Sequence, residues 1–328
     1  MRRWFLFPVL IGSLVLVCIG SVVGQISNVF PSNDLSDGIE LIYTPSKNTM
    51  ITAANFEMVE PATHPVTFTA ASTIYLPLVL NHIAGSSAGW WQPSVGTSWQ
   101  WQLTDPIDPS FEVDMYDIDL FDNDASTVAS LHAQGRKAIC YISVGSWEEW
   151  RSDADQFPAS VLGNDYEGWE GEKWLDIRQI DLLAPIMRAR FDECRAKGFD
   201  GIEPDNIDGY TNNTGFPLTY QDQLNYNIWL ANEAHARGLS IGLKNDDGQV
   251  ADLLSYFDWA LTEDCFADGW CAEMMPFIAA GKPVFAAEYA DQFTAEQFSN
   301  QVCPQAKTMK FSAILKERDL TAWRQACP

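Results

Sequence analysis

The chain is short of the residues on which many enzyme chemistries depend. Only four histidines occur in 328 residues. His132 and His235 each sit about one turn before a glycine that reads as a helix stop, so packing at a helix end accounts for both. No C-x-x-C pair accompanies them, so no zinc site is expected, and metal-dependent deacetylation has no ligand cluster. G-x-S-x-G is missing too: Val144-Gly-Ser-Trp147 departs from it, which removes the usual setting of a serine hydrolase. No G-x-G-x-x-G follows the first candidate strand, so a dinucleotide fold has no phosphate cradle, and no cofactor is expected. Positive charge is scarce as well, with 20 Lys and Arg against 44 Asp and Glu and a formal charge of −24. Nucleic acid and anionic membranes are therefore poor partners. A cationic substrate and a generally acidic exported surface would each explain the balance.

Export is the first positive signal. Arg2 and Arg3 precede an apolar run from Trp4 to Val23, and small residues reach Gly24. Residues 1–24 thus read as a signal peptide or, given the length of the run, a membrane anchor, which predicts a secreted or cell-surface protein. Val17 before Cys18 does not fit a lipoprotein signal. Cys18 belongs to the leader, and the six remaining cysteines suit disulfides such as Cys265–Cys271 and Cys303–Cys327, although six allow fifteen pairings. Residues 25–88 are rich in Ser, Thr, Asn and Pro, with one apolar burst at Ile74–Leu80. They read as a spacer with room for a strand or two.

From residue 89 to 328 strands and helices alternate. Strands are expected at Trp99–Leu103, Tyr116–Phe121, Lys137–Val144, Gly201–Pro204, Ser240–Leu243, Trp259–Thr262, Pro283–Ala287 and Met309–Leu315. Amphipathic segments lie between most of them and stop at Gly135, Gly198, Gly238 and Gly281. This order predicts a (β/α)8 TIM barrel, with a doubly wound open sheet as the alternative. Two connections depart from the pattern. Thr104–Asp114 is too short for a normal helix, and Gly145–Ile180 is long and tryptophan-rich.

An active site in such a barrel lies at the C-terminal ends of the strands. Those ends carry Gln102, Asp117 and Asp119, Tyr141 and Ser143, Asp205, Lys244 and Asn245, Glu263 and Asp264, then Glu288 and Tyr289. Carboxylates, amides and phenols in this order suit a sugar-binding cleft. Trp147, Trp150, Trp169 and Trp174 in the third loop could stack on pyranose rings, with about half of the tryptophans reserved for ordinary packing. Once the other chemistries are set aside, a pair of carboxylates remains, the equipment of glycoside hydrolysis.

Several separated motifs occur in a familiar order: Asp117-Ile-Asp-Leu-Phe-Asp122, Cys140-Tyr-Ile-Ser-Val-Gly-Ser-Trp-Glu-Glu-Trp150, Trp174-Leu-Asp176, Glu203-Pro-Asp-Asn-Ile-Asp-Gly-Tyr210, Gly242-Leu-Lys-Asn245, Glu263-Asp-Cys265 and Lys282-Pro-Val-Phe285. Together, from about Trp90 to Cys327, they resemble glycoside hydrolase family 114, the endo-α-1,4-polygalactosaminidases. The resemblance implies cleavage of a galactosamine polysaccharide that is cationic where its amines are free. It also implies a catalytic pair at Asp205, as nucleophile, and Glu263, as general acid/base, with retention of configuration. That assignment requires a carboxylate separation of about 5–5.5 Å, against roughly 6.5–9.5 Å for inversion. Asp117 and Asp119 share one strand face as substrate-binding candidates. Asp119, nearer the strand end, is the better ligand for a sugar hydroxyl or ammonium, and a structural acid lower in the barrel is the alternative for Asp117. Tyr141, Glu288 and Trp147 are further substrate-binding candidates, and Lys244 is either an orienting group for Asp205 or a structural ion-pair partner. Glu203 is left out, because beside Pro204 it could face the helices. A monomer is expected. An α-glycosidase for another exopolysaccharide and a carbohydrate-binding barrel without turnover remain as alternatives.

Overall fold

The computed structural model describes residues 89–104 and 106–328, with two short strands before them, Phe56–Met58 and Val66–Phe68, that pair antiparallel. The export segment and the Ile74–Leu80 burst lie outside the described residues. Eight parallel strands follow in sequence order. They are β1 (Trp99–Trp101), β2 (Met115–Asp119), β3 (Lys137–Ser143), β4 (Gly201–Asp205), β5 (Ser240–Lys244), β6 (Trp259–Glu263), β7 (Val284–Tyr289) and β8 (Ser312–Lys316). Every expected strand is present, and the fold is a TIM barrel.

Side chains alternate across each strand. On most strands the odd-numbered residues face inward, and on β5 and β8 the even-numbered ones do. Trp99, Trp101, Met115, Ile139, Trp259, Leu261, Phe285 and Ile314 fill the barrel as one buried cluster. Glycine makes room for the largest of them. A Cβ at Gly242 would run into the Trp259 ring, and one at Gly201 into Ser240 Oγ. The opposite set, with Ile118, Cys140, Ile202, Leu243 and Ala286, faces the helices in a second, larger core.

The major helices are α1 (Ala125–Ala133), α2 (Ile180–Lys197) and α3 (Tyr220–Ala236). Asp124 caps α1 by accepting from Ser126 N and Thr127 N, and Thr219 with Asp222 forms a reciprocal capping box on α3. The expected glycine stops are left-handed, at φ 79° (Gly135), 96° (Gly198), 70° (Gly238) and 76° (Gly281).

Three details differ from expectation. The last strand starts late: Met309 ends the helix Cys303–Met309, Lys310 turns left-handed, and β8 begins only at Ser312. β2 stops at Asp119 because the Asp119 carboxylate accepts Phe121 N and Asp122 N and turns the chain outward. The long third connection folds into a small antiparallel sheet, with Glu172–Leu175 between Ser146–Glu148 and Leu162–Asp165.

β1 and β8 share no ladder. The tail bridges them instead: Gln325–Ala326 pairs antiparallel with β8, Leu103 N donates to Leu320 O at 3.0 Å, and Gln100 Nε2 donates to Ala322 O at 2.7 Å. Three disulfides, Cys140–Cys194, Cys265–Cys271 and Cys303–Cys327, tie β3 to α2, the loop after β6 to itself, and the tail to the helix before β8.

Candidate active site

The site grows from the parity of β4. Glu203 and Asp205 share its inner face and meet Lys244, which β5 brings in beside them. The buried Lys244 Nζ lies 2.8 Å from Glu203 Oε1, 2.9 Å from Asp205 Oδ1 and 3.1 Å from Glu263 Oε2. Burial alone would lower the pKa of this ammonium, but Asp205, Glu203 and Glu263 outweigh it and raise it well above the usual lysine range. The oxygens of Asp205 and Glu263 that touch this one nitrogen can be no more than about 6 Å apart.

Each of these two carboxylates has further donors. Asp205 Oδ2 accepts from Tyr141 OH at 2.9 Å, and its Oδ1 accepts from Asn206 N at 2.9 Å. Glu263 Oε1 accepts from Tyr289 OH, while Glu263 N donates to Asn245 Oδ1 at 2.9 Å. Burial, then the neighbouring carboxylates, raises both phenols well above their usual range, so they remain donors.

The chain turns left-handed directly after each of these strand ends, at Asn206 (φ 64°), Asn245 (φ 50°), Asp246 (φ 45°) and Asp264 (φ 55°). Short polar side chains tolerate this conformation better than others, at some cost in strain. Asn206 is held there by its amide, which donates to Ser143 Oγ at 2.9 Å and Ser146 Oγ at 3.0 Å and approaches Glu172 Oε1 at 3.2 Å. Burial pushes the Glu172 carboxyl up to about 7.

Above this floor opens a cavity of about 590 Å³. Its walls include Asp122, Glu167, Asp208, Asp268 and Asp319, and among its lining residues only Arg151, Lys244 and Arg318 are basic. The imbalance favours a cationic ligand. Burial, followed by the Asp205 charge, pushes Asp208 up to about 6.

Asp205, Glu263, Lys244, Tyr141 and Asp119 all line this cavity. Asp119 is committed to the protein, however, with Arg151 donating to its two oxygens at 3.0 and 2.7 Å. Asp117 is sealed one layer below, where burial and then the Glu203 charge hold it well above the usual carboxylate range. Two expected substrate ligands lie elsewhere. Trp147 donates its indole N–H to Ala154 O at 2.9 Å and packs on the outer core. Glu288 occupies an outward position on β7 and accepts from Phe266 N at 2.8 Å and Ala267 N at 3.1 Å.

Glu203 and Tyr289 belong to the site, although the sequence reading leaves out the first and treats the second only as a strand end. The signal for both is strand parity, which aligns Glu203 with Asp205 and Tyr289 with Phe285. Arg151 and Glu172 carry no such signal, because they arrive from the long third connection rather than from a barrel strand. The two histidines stay away from the site: His132 meets Asp200 at 2.7 Å, and His235 meets Asp258 at 2.9 Å while stacking on Trp90. Cys265, Cys271 and Glu288 lie close enough together to suggest a metal cluster, but the two sulfurs are bonded to each other.

A TIM barrel with paired carboxylates at its strand ends defines a glycoside hydrolase. Residues 81–328 match glycoside-hydrolase family GH114, and the chain belongs to that family. Among solved structures it is similar to Ega3 of Aspergillus fumigatus, crystallised in complex with galactosamine. The identity is 43% and the TM-score 0.69, covering 72% of this chain and 97% of that one. The glycoside hydrolase domain of PelA from Pseudomonas aeruginosa shares the fold at 14% identity and TM-score 0.54, covering 70% of this chain and 97% of that one. An uncharacterized protein of Deinococcus radiodurans is 29% identical over 203 residues, 53% of this chain and 64% of its own length.

Proposed function

We propose that this protein is an exported, endo-acting hydrolase of α-1,4-linked galactosamine polysaccharide that works with retention. The observation that carries the reading is the single Lys244 ammonium touching both Asp205 and Glu263, which limits their contacting oxygens to about 6 Å. An upper bound of this size on one oxygen pair is compatible with the separation of about 5–5.5 Å between the carboxyl groups of a double displacement. Asp205 attacks the anomeric carbon while Glu263 gives a proton to the departing glycosidic oxygen. Glu263 then takes a proton from water, which releases the sugar from Asp205. The acidic cavity suits free amines on the polymer, and the galactosamine bound to the similar fungal protein supports the same sugar. The leader and three disulfides support export.

The test is release of sized oligosaccharides from partly deacetylated α-1,4-galactosaminan by wild type, Asp205→Asn and Glu263→Gln. Wild-type cleavage lost in both variants, with NMR showing the α-anomer formed first, is expected. Cleavage that survives Asp205→Asn would remove the nucleophile, and initial β-anomer would remove retention. Binding without cleavage by wild type would favour a carbohydrate-binding barrel.

A further inference from the structure

We propose that Trp150 and Trp169 form a sugar-stacking platform at the rim of the cleft, a binding site for pyranose units of the polymer remote from the bond being cleaved. The inference rests on the polysaccharide reading above. Both side chains line the catalytic cavity, yet they are 51% and 54% exposed, among the few large apolar groups of the described residues left open to water. Scattered exposed aromatics need no explanation, but two on adjoining turns that line one cavity do.

The turns are built to hold them. Trp169 lies in the tip joining Leu162–Asp165 to Glu172–Leu175, where Gly168 and Gly171 adopt φ of 93° and 86°. Trp150 follows Ser146–Glu148, and Glu149 N donates to Gly171 O at 3.0 Å, fastening one turn to the other. Beside Trp150, the buried Arg151 guanidinium donates to Asp119 and, at 2.8 Å, to both oxygens of Glu148. A buried ion triad thus anchors the chain next to a half-exposed indole. Burial would lower the Arg151 pKa, but Glu148 and Asp119 raise it, so the guanidinium stays charged.

The occupant follows from the neighbours. Glu167 and Asp122 line the same cavity, so an apolar ring face and an ammonium group can be met within one cleft. An unbranched amino-sugar polymer offers both on every residue.

The test compares wild type with Trp150→Ala, Trp169→Ala and the double variant on galactosaminan and on the shortest oligomer that wild type cleaves. Stacking of about 0.5–1.5 kcal/mol per aromatic predicts that the double variant raises KM for polymer about 5- to 150-fold. Its kcat, and its activity on the short oligomer, should be unchanged. Unchanged KM on polymer, or equal loss on both substrates, overturns the platform. Affinity electrophoresis through galactosaminan and chitosan separates this failure from failure of the hydrolase reading. If wild type cleaves neither but is retarded, loss of retardation in the double variant supports the platform. Retained retardation, or none with wild type, overturns it.

Discussion

Replacing Lys244 by methionine would leave Glu203, Asp205 and Glu263 facing one another without their shared cation. Breaking a buried ion cluster in this way costs about 3–5 kcal/mol. Chemical denaturation should show a loss of that size, together with loss of hydrolysis. Adding Glu203→Gln should return part of the stability and none of the activity; no recovery would mean that Glu203 is not the charge left stranded. Glu288→Gln is the contrasting case. KM should stay at the wild-type value, and a raised KM would return Glu288 to the cleft. Alternation along a strand makes most of the site legible in the sequence. Strand position places Asp205, Lys244 and Glu263 among the strand ends, the family resemblance singles out Asp205 and Glu263 from that set, and the three converge. Glu203 obeys the same alternation, but the adjacent Pro204 obscures it, because proline weakens the case for a regular strand.

At the scale of elements, the eight strands and the glycine stops are legible because burial and helix termination act locally. The third connection is not, since its small sheet depends on pairing between residues far apart in the sequence. Trp147 shows the consequence: its membership in a tryptophan-rich loop suggests the cleft, but the sheet turns it onto the core. The Cys140–Cys194 bond closes a span of 54 residues across β3 and α2. Loop entropy predicts that replacing both cysteines by alanine costs about 4 kcal/mol, read as a lowered denaturation midpoint. A midpoint unchanged from wild type would mean that the packing of β3 on α2 already supplies that constraint.

For the whole molecule, several acids keep their protons more tightly when folded. Burial pushes Glu172 and Glu288 up to about 7 and Asp208 up to about 6. Between the ordinary carboxylate range and those values the unfolded chain has lost protons that the folded chain retains. Stability from these groups is therefore fully present below the ordinary carboxylate range and is lost as pH rises through the elevated values. The formal charge of −24 at pH 7 acts in the same direction. Thermal unfolding should give a higher Tm at pH 5 than at pH 8, and the reverse order would contradict these shifts. The β1–β8 seam sets a different kind of limit. Trp99 Nε1 donates across it to Ser312 O at 2.9 Å, but the main-chain pairing on either side comes from residues 320–326, which are synthesised after all eight strands. β1 therefore waits through the making of the whole barrel with one edge unpaired, exposed to the strands of other nascent chains. A message cut short before residue 320 would yield a chain holding every catalytic group, with only side-chain bonds such as Trp99 Nε1 to Ser312 O left across the seam.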